Sequence, residues 1–424
     1  MTSSPRVHTL ANGVRVVCDR VPGVETFALS VVAGRGARLE DEARNGWSHL
    51  LEHMVFKGAG ARSAKEIVEV IEAAGGQINA ATGYERTSFQ VRALAATLPL
   101  AIAVTADLVQ RPTLDPDDLE REKQVVAQEI AEAADTPDDQ VFELAQSAAF
   151  TDQSLGRPVL GSVATLASAD RAALEAWRAV LYAPHSLVVS VAGAVEEEEL
   201  LRLAQAAFGA ATNPDSRPAA TDPAQFTGGV AIERRRLEQA HLVFLLPAPS
   251  LPDPGYWPLR VFAEALGGGM SSRLFQKVRE EMGLAYNIDA YADGWVGAGV
   301  LGVYAGCAAP DAARLAQAVA GEIIALGRSV GEAELARAKS QLKAGLLMSR
   351  ESLSSRAEQA AAQLLLFDRL VPPAEFVRAI DAVTAADLAG LAETLRGPRR
   401  LALAALGPKS AAAAAPAFEA ALFA

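Results

Sequence analysis

Short apolar runs at residues 14–18 and 27–32, joined through a turn-rich segment, predict two strands. The Asn12-Gly13 pair just before them is a turn signal. From 47 to 56 the apolar spacing becomes helical, and Gly58 and Gly60 stop it. Ser63, with Glu66 three residues later, reads as a capping box for a helix that ends at Gly75-Gly76. Strands are expected near 77–80 and 87–93. Helices are expected near 98–110, 116–134, 138–150 and 171–181, then a strand over 187–192 and a helix over 196–208.

The stretch 213–225, NPDSRPAATDPAQ, breaks the periodicity with three prolines and many polar residues, the composition of a connector. The order of elements then restarts. Strands are expected at 240–246, 286–291 and 300–307, with helices near 258–266 and 332–348. LEREKQVVAQEI from Leu119 and LARAKSQLKAGL from Leu335 match at several positions, an offset of 216 residues. At that offset Glu122 falls on Ala338, Glu129 on Gly345, His49 on Ala265 and Glu52 on Gly268. The chain reads as a duplication in which one half kept charged chemistry. Two similar domains are expected, 1–212 and 226–424.

Composition narrows the function classes. A length of 424 residues exceeds one ordinary core. Half the residues are apolar, yet no run approaches the roughly 18 apolar residues of a membrane span. The N-terminal residues lack the zones of a signal or transit peptide, so the expected compartment is the cytoplasm and no membrane partner is expected. Cys18 and Cys307 are too few for a disulfide framework and wrongly spaced for a cysteine zinc site. A net charge of −12 argues against nucleic acid.

The segment His49-Leu50-Leu51-Glu52-His53 carries the chemistry. Positions four apart share a helix face, so His49 and His53 can offer nitrogens to one metal. Glu52 stands beside them and can reach a water without being a ligand, the inverted zincin order His-x-x-Glu-His. The flanking Trp47, Leu50, Leu51, Met54, Val55 and Phe56 mark the helix as mostly buried, and a metal would offset the desolvation of its polar groups. A zinc site with an open position needs a third protein ligand. Glu122 and Glu129, seven apart on the 116–134 helix, project from one face, and Val125, Val126 and Ile130 place Glu129 near the core.

Together with these residues, GWSHLLEHMVFKG from Gly46, the GGQINAAT run from Gly75, the segment ending QEI at Ile130 and SSRLFQKVREEMGLAY from Ser271 resemble the pitrilysin/insulinase family, especially half-length members such as mitochondrial processing peptidase. The likeness covers the whole chain. It implies an α+β fold, two layered α/β domains each with a mixed, mostly antiparallel sheet packed by helices. It implies one zinc per chain on His49, His53 and Glu129, Glu52 as catalytic base, and Glu122 supporting the ligands. Arg279 and Tyr286 match the pair with which the family grips the scissile peptide, in the domain without metal. Asn79, Ala80 and Ala81 resemble the edge strand that holds the substrate as an added strand. Asp139 and Glu143 resemble acidic positions that bind an arginine near the cleavage point.

The expected activity is that of a zinc metalloendopeptidase on extended peptides inside a closed chamber. The expected assembly is a homodimer in which Arg279 and Tyr286 complete the partner protomer's site. The rivals are a non-catalytic subunit of the same fold and one half of a heterodimeric peptidase. Intact ligands, base and Arg/Tyr pair on one chain favour the homodimeric enzyme.

Overall fold

A computed structural model of the chain describes residues 4–213 and 223–424. In chain order it runs β1 (Arg6–Thr9), β2 (Arg15–Arg20), β3 (Thr26–Ala33), α1 (Trp47–Val55), β4 (Gly58–Ala59), β5 (Arg62–Ser63), α2 (Ala64–Glu72), β6 (Gln77–Thr82), β7 (Thr87–Leu94), α3 (Leu98–Gln110), α4 (Pro116–Asp135), α5 (Pro137–Ala149), α6 (Val163–Ala167), α7 (Arg171–Leu181), β8 (Leu187–Gly193) and α8 (Glu197–Phe208). Then follow β9 (Gly229–Arg234), β10 (Gln239–Pro247), α9 (Tyr256–Gly267), β11 (Ala285–Trp295), β12 (Ala298–Ala308), α10 (Ala312–Arg328), α11 (Glu332–Ser349), α12 (Leu353–Phe367), α13 (Pro373–Ala382), α14 (Ala385–Arg396), β13 (Ala402–Gly407) and α15 (Ala414–Leu422). The Ser63–Glu66 capping box forms as its spacing requires. Among the described residues no helix is long and apolar enough to cross a membrane.

These elements build two compact units. The first comprises Met1–Ala131, Pro158–Thr221 and Met348–Val371; the second comprises Glu132–Arg157, Asp222–Leu347 and Pro372–Ala424. The first holds a six-stranded sheet in the order β1-β2-β8-β3-β7-β6, in which β2 and β8 run parallel and the other neighbours antiparallel. Alternation along its strands gives two apolar faces. Phe27, Leu29, Val31, Phe89 and Val91 pack with Leu50, Leu51 and Met54 of α1 and with α3 and α8. On the other face α12 covers Val17, Val32 and Val188 with Ala360, Ala361 and Leu364, and Ala28 and Ala192 with Ala357. The alanines let the helix backbone lie close to the strands.

The second unit holds a five-stranded sheet, β11-β12-β10-β13-β9, with β13 and β9 parallel and the rest antiparallel. Its core lies between one sheet face and helices α9, α10, α14 and α15. Helix α5 packs on β9, β10 and β13, and its Phe142 ring stacks on Tyr304 with centroids 5.4 Å apart. The duplication read from the sequence is visible in topology. The order β6-β7-β3-β8-β2 recurs as β11-β12-β10-β13-β9, with the one parallel pair in the same place in each.

The expected division into 1–212 and 226–424 needs correction. Helix α5, from the first half of the sequence, belongs to the second unit, and α12, from the second half, belongs to the first. The duplicated sheets thus exchange one covering helix each, which no local periodicity encodes. Most of the connector expected over 213–225 lies outside the described residues.

An ion pair fixes α12 to its sheet. Arg356 donates from Nε and an Nη to the two Asp19 oxygens on β2, each at 2.8 Å, and the side chains are 9% and 2% exposed. Removing one partner strands a buried charge, so Arg356→Ala should cost about 3–5 kcal/mol, whereas Asp19→Leu with Arg356→Met should recover most of it. Urea unfolding checks this, and a loss below about 1 kcal/mol for Arg356→Ala would show that the pair does not secure α12.

Candidate active site

Helix α1 is amphipathic in a simple way. Trp47, Leu50, Leu51, Met54 and Val55 are buried at helical spacing. His49, Glu52, His53 and Phe56 follow the same spacing on the opposite side and are half-buried. On α4, Leu119, Glu122 and Val126 form the buried face, and Glu129 continues it one turn on. Val126 is fully buried and Ile130 packs against the core, as expected, but Val125 is 38% exposed and lies outside that face.

The two helices converge. Glu129 Oε2 lies 3.6 Å from His53 Nε2 and 3.9 Å from His49 Nε2, and the imidazole centroids are 4.7 Å apart. One ligand atom from each of His49, His53 and Glu129 lies within 4.8 Å of the others. Among the described residues this is the one such group of His, Cys, Asp and Glu. Glu122 stands behind it, with Oε2 accepting from His53 Nδ1 at 3.2 Å and Oε1 from Lys57 Nζ at 2.7 Å. That bond uses an Nδ1 proton of His53 and turns Nε2 toward Glu129. Burial first, and the His53 charge second, hold the His49 imidazole down to about 4, so it is neutral at physiological pH. Its Nδ1 is buried without a hydrogen-bond partner.

Glu52 points to the same place from the next turn. Its Oε2 accepts from the Thr82 hydroxyl at 2.5 Å. Burial raises its carboxyl above the ordinary range despite the Thr82 bonds and the nearby His53 charge.

The donors fit zinc. Two neutral imidazole nitrogens and a carboxylate oxygen are zinc-type ligands, and three of them leave one position open. Tetrahedral bonds of about 2.0–2.1 Å separate neighbouring donors by about 3.3 Å, close to the Glu129–His53 distance.

The remaining expected residues fall in distinct places. Asn79, Ala80 and Ala81 lie on β6, the outermost strand of the first sheet. The Ala80 N–H bonds to the Asn79 side chain at 2.9 Å. Thr82 ends that strand, so the edge and the Glu52 carboxylate are one hydrogen bond apart. Arg279 and Tyr286 belong to the second unit and touch each other. The Arg279 guanidinium sits between the Phe275 ring at 4.5 Å and the Tyr286 ring at 4.6 Å, and Tyr286 is 78% exposed. Residues Phe275–Glu281 form a π-helix that residue spacing did not foreshadow. Asp139 and Glu143 lie on α5, also in the second unit, where burial and the Asp139 charge raise the Glu143 carboxyl. Sequence reading passed over Lys57 and placed Thr82 on the edge strand without its bond to Glu52. Lys57 sits four residues past His53, and Thr82 ends the Asn79–Thr82 run, so both had a positional signal.

A titration follows from His49. Its folded value of about 4 lies below the ordinary 6.5, so the unfolded chain takes up the proton first as pH falls. The stability this group contributes is complete above about 6.5 and is lost toward about 4, at most roughly 3 kcal/mol. Urea unfolding of the metal-free protein from pH 7 to 4.5 should show this slope, and His49→Gln should flatten it. Parallel slopes for the two proteins would refute the assignment.

Comparison with known proteins places this geometry. The sequence model described as Insulinase (Peptidase family M16) matches residues 15–163, and that described as Peptidase M16 inactive domain matches residues 168–342. An uncharacterized zinc protease of Rickettsia bellii is 33% identical over 389 residues, covering 92% of this chain and 94% of that protein. One from Mycobacterium tuberculosis is 35% identical over 412 residues, covering 96% and 93%. The crystal structure of a protease from Helicobacter pylori superposes with a TM-score of 0.89 over 96% of this chain and all of that one, at 20% identity, and so shares the fold. The chain is therefore a half-length member of the pitrilysin/insulinase (M16) family, a family of zinc proteases.

Proposed function

We propose that this chain is a zinc metalloendopeptidase that cleaves extended peptides. The observation that carries the reading is the convergence of His49, His53 and Glu129 on one point, with Glu52 beside them. Those three side chains would hold the metal, and Glu122 would orient His53. When bound, zinc supplies a Lewis acid that makes a water acidic enough to lose its proton near neutral pH. Glu52, held at Oε2 by Thr82, takes that proton on its other oxygen and hands it to the leaving amine. Its raised carboxyl suits both halves of the transfer. An extended peptide added along β6 would pair with main-chain groups of the Asn79–Ala81 edge and arrive beside Glu52. Asp139 and Glu143 would favour a basic side chain near the cleavage point.

In this reading the working form is a homodimer enclosing the peptide, with Arg279 and Tyr286 of one protomer facing the oxyanion in the site of the other. The Phe275–Arg279–Tyr286 stack supports a concerted role, because it holds the guanidinium against an exposed phenol.

Two experiments test the proposal. Glu52→Gln should keep one zinc per chain and lose about 10²–10⁴-fold in turnover of a quenched fluorescent peptide. Loss of zinc from that variant would mean that Glu52 is a ligand and not the base. For the dimer, Glu52→Gln protein is mixed and re-equilibrated with Arg279→Ala/Tyr286→Phe protein. Action in trans restores up to roughly a quarter of wild-type activity, since half of the dimers are mixed and each has one intact site. No recovery beyond the sum of the two inactive variants contradicts it.

A further inference from the structure

The metal-binding helix begins without a cap of its own. Gly46, the residue before α1, has φ +90° and no side chain, and there is no space for one. A Cβ there would come within 2.6 Å of the Leu160 carbonyl oxygen and 2.7 Å of Gly161 Cα. The first N–H groups of a helix have no partner within it, and left buried they would be costly.

Glu40 meets them from outside the helix. Its Oε2 accepts from the Gly46 N–H at 2.8 Å and from Asn45 Nδ2 at 3.4 Å, and its Oε1 accepts from the Ser48 N–H at 2.7 Å. Glu40 is 3% exposed, so water takes little part in these bonds. The same carboxylate also accepts a hydrogen bond from the Ser48 hydroxyl, and Ser48 Oγ accepts from Trp177 Nε1 on α7 at 3.2 Å. Asn45 Nδ2 continues to the Pro158 carbonyl at 2.8 Å. Ser48 is wholly buried and precedes His49 directly.

A carboxylate bridging the N–H groups of residues 46 and 48 fixes both where α1 starts and how it is rotated about its axis. Each residue of slip would turn the helix by about 100° and advance it about 1.5 Å. Either movement would carry His49 and His53 away from Glu129, and Glu52 away from Thr82.

We infer that Glu40 is a positioning residue that sets the register of α1, so that His49, His53 and Glu52 face the metal and the peptide. The inference rests on the functional reading above for its effect on turnover, but its effect on metal binding does not. Gln at this position keeps one acceptor oxygen and replaces the other with a donor facing an N–H group, so one of the two anchoring bonds breaks while volume is preserved.

The test is carried out on the full zinc-loaded chain. Glu40→Gln should weaken zinc binding, measured by chelator competition, by about 10–100-fold and lower kcat by a similar factor, with KM held within about threefold. The visible absorption bands of the Co²⁺-loaded protein should shift, because that spectrum reads the ligand arrangement. Leu200→Ala on α8, a buried site distant from α1 in sequence, serves as a stability-matched control. It should lower Tm without moving zinc affinity, kcat or the cobalt bands. Glu40→Gln protein that folds with zinc affinity and kcat within about twofold of wild type would overturn the inference, as would equal changes in the control. If Glu40→Gln fails to fold, Trp177→Phe, which removes the donor behind Ser48 together with part of a buried ring, should give a smaller loss of zinc affinity with the cobalt bands shifted in the same direction, and no loss would overturn the inference too. A wild-type chain that binds zinc but cleaves no peptide would sink the peptidase reading alone, since chelator competition still reports on Glu40.

Discussion

Packing of Leu50, Leu51, Met54 and Val55 against the first sheet, each with no exposed surface, holds α1 in place while its other face carries two imidazoles and a carboxylate. At about 1.5–3 kcal/mol for each fully buried side chain, this packing is large enough to tolerate the desolvation of His49 and Glu52 on the opposite face. Helix α4 works in the same way, with Leu119 and Val126 below and Glu122 and Glu129 at the site. The cluster of His49, His53 and Glu129 exists because two apolar stripes dictate where their polar neighbours must point. Chemistry is concentrated where packing has already fixed the backbone.

The second unit shows the same scaffold relieved of that chemistry. The sheet order is repeated, yet the helix aligned with α1 is α9, whose Ala265 is buried and whose Gly267 lies so near β11 that a Cβ would meet the Ala290 nitrogen at 2.3 Å. Ala338 and Gly345 stand on α11 where α4 has Glu122 and Glu129. Groups that would need a cation in the first unit are replaced by side chains small enough for direct contact. What the second unit contributes instead is a guanidinium held between two aromatic rings on a π-helical turn.

The sequence made the His/Glu face of the candidate site legible because its signal is local. His49 and His53 four apart, Glu52 between them, and Glu122 and Glu129 seven apart all follow from helical spacing. The duplication was legible for the same reason, as a repeated order of short apolar runs. Three features were not. The exchange of α5 and α12 depends on which sheet face each helix meets, and an alanine-rich stripe such as Ala357, Ala360 and Ala361 does not name its partner. The role of Val125 was misjudged because a neighbour of Val126 can face either way. The Glu40 bridge joins an acidic side chain to backbone N–H groups six and eight residues on, and no pattern of residue types announces a bond to the main chain.

The exchange of covering helices has a consequence for synthesis. Strands β2, β3 and β8 are complete by Gly193, but the helix that covers Val17, Val32 and Val188 begins only at Leu353. At a ribosomal rate of about 5–20 residues per second, that sheet face stays bare for roughly ten to thirty seconds in every nascent chain. Helix α5 waits in the same way, since it precedes β9, β10 and β13, and β13 ends only at Gly407. The sheet beside α1 is therefore completed by a segment synthesised long after its own last strand.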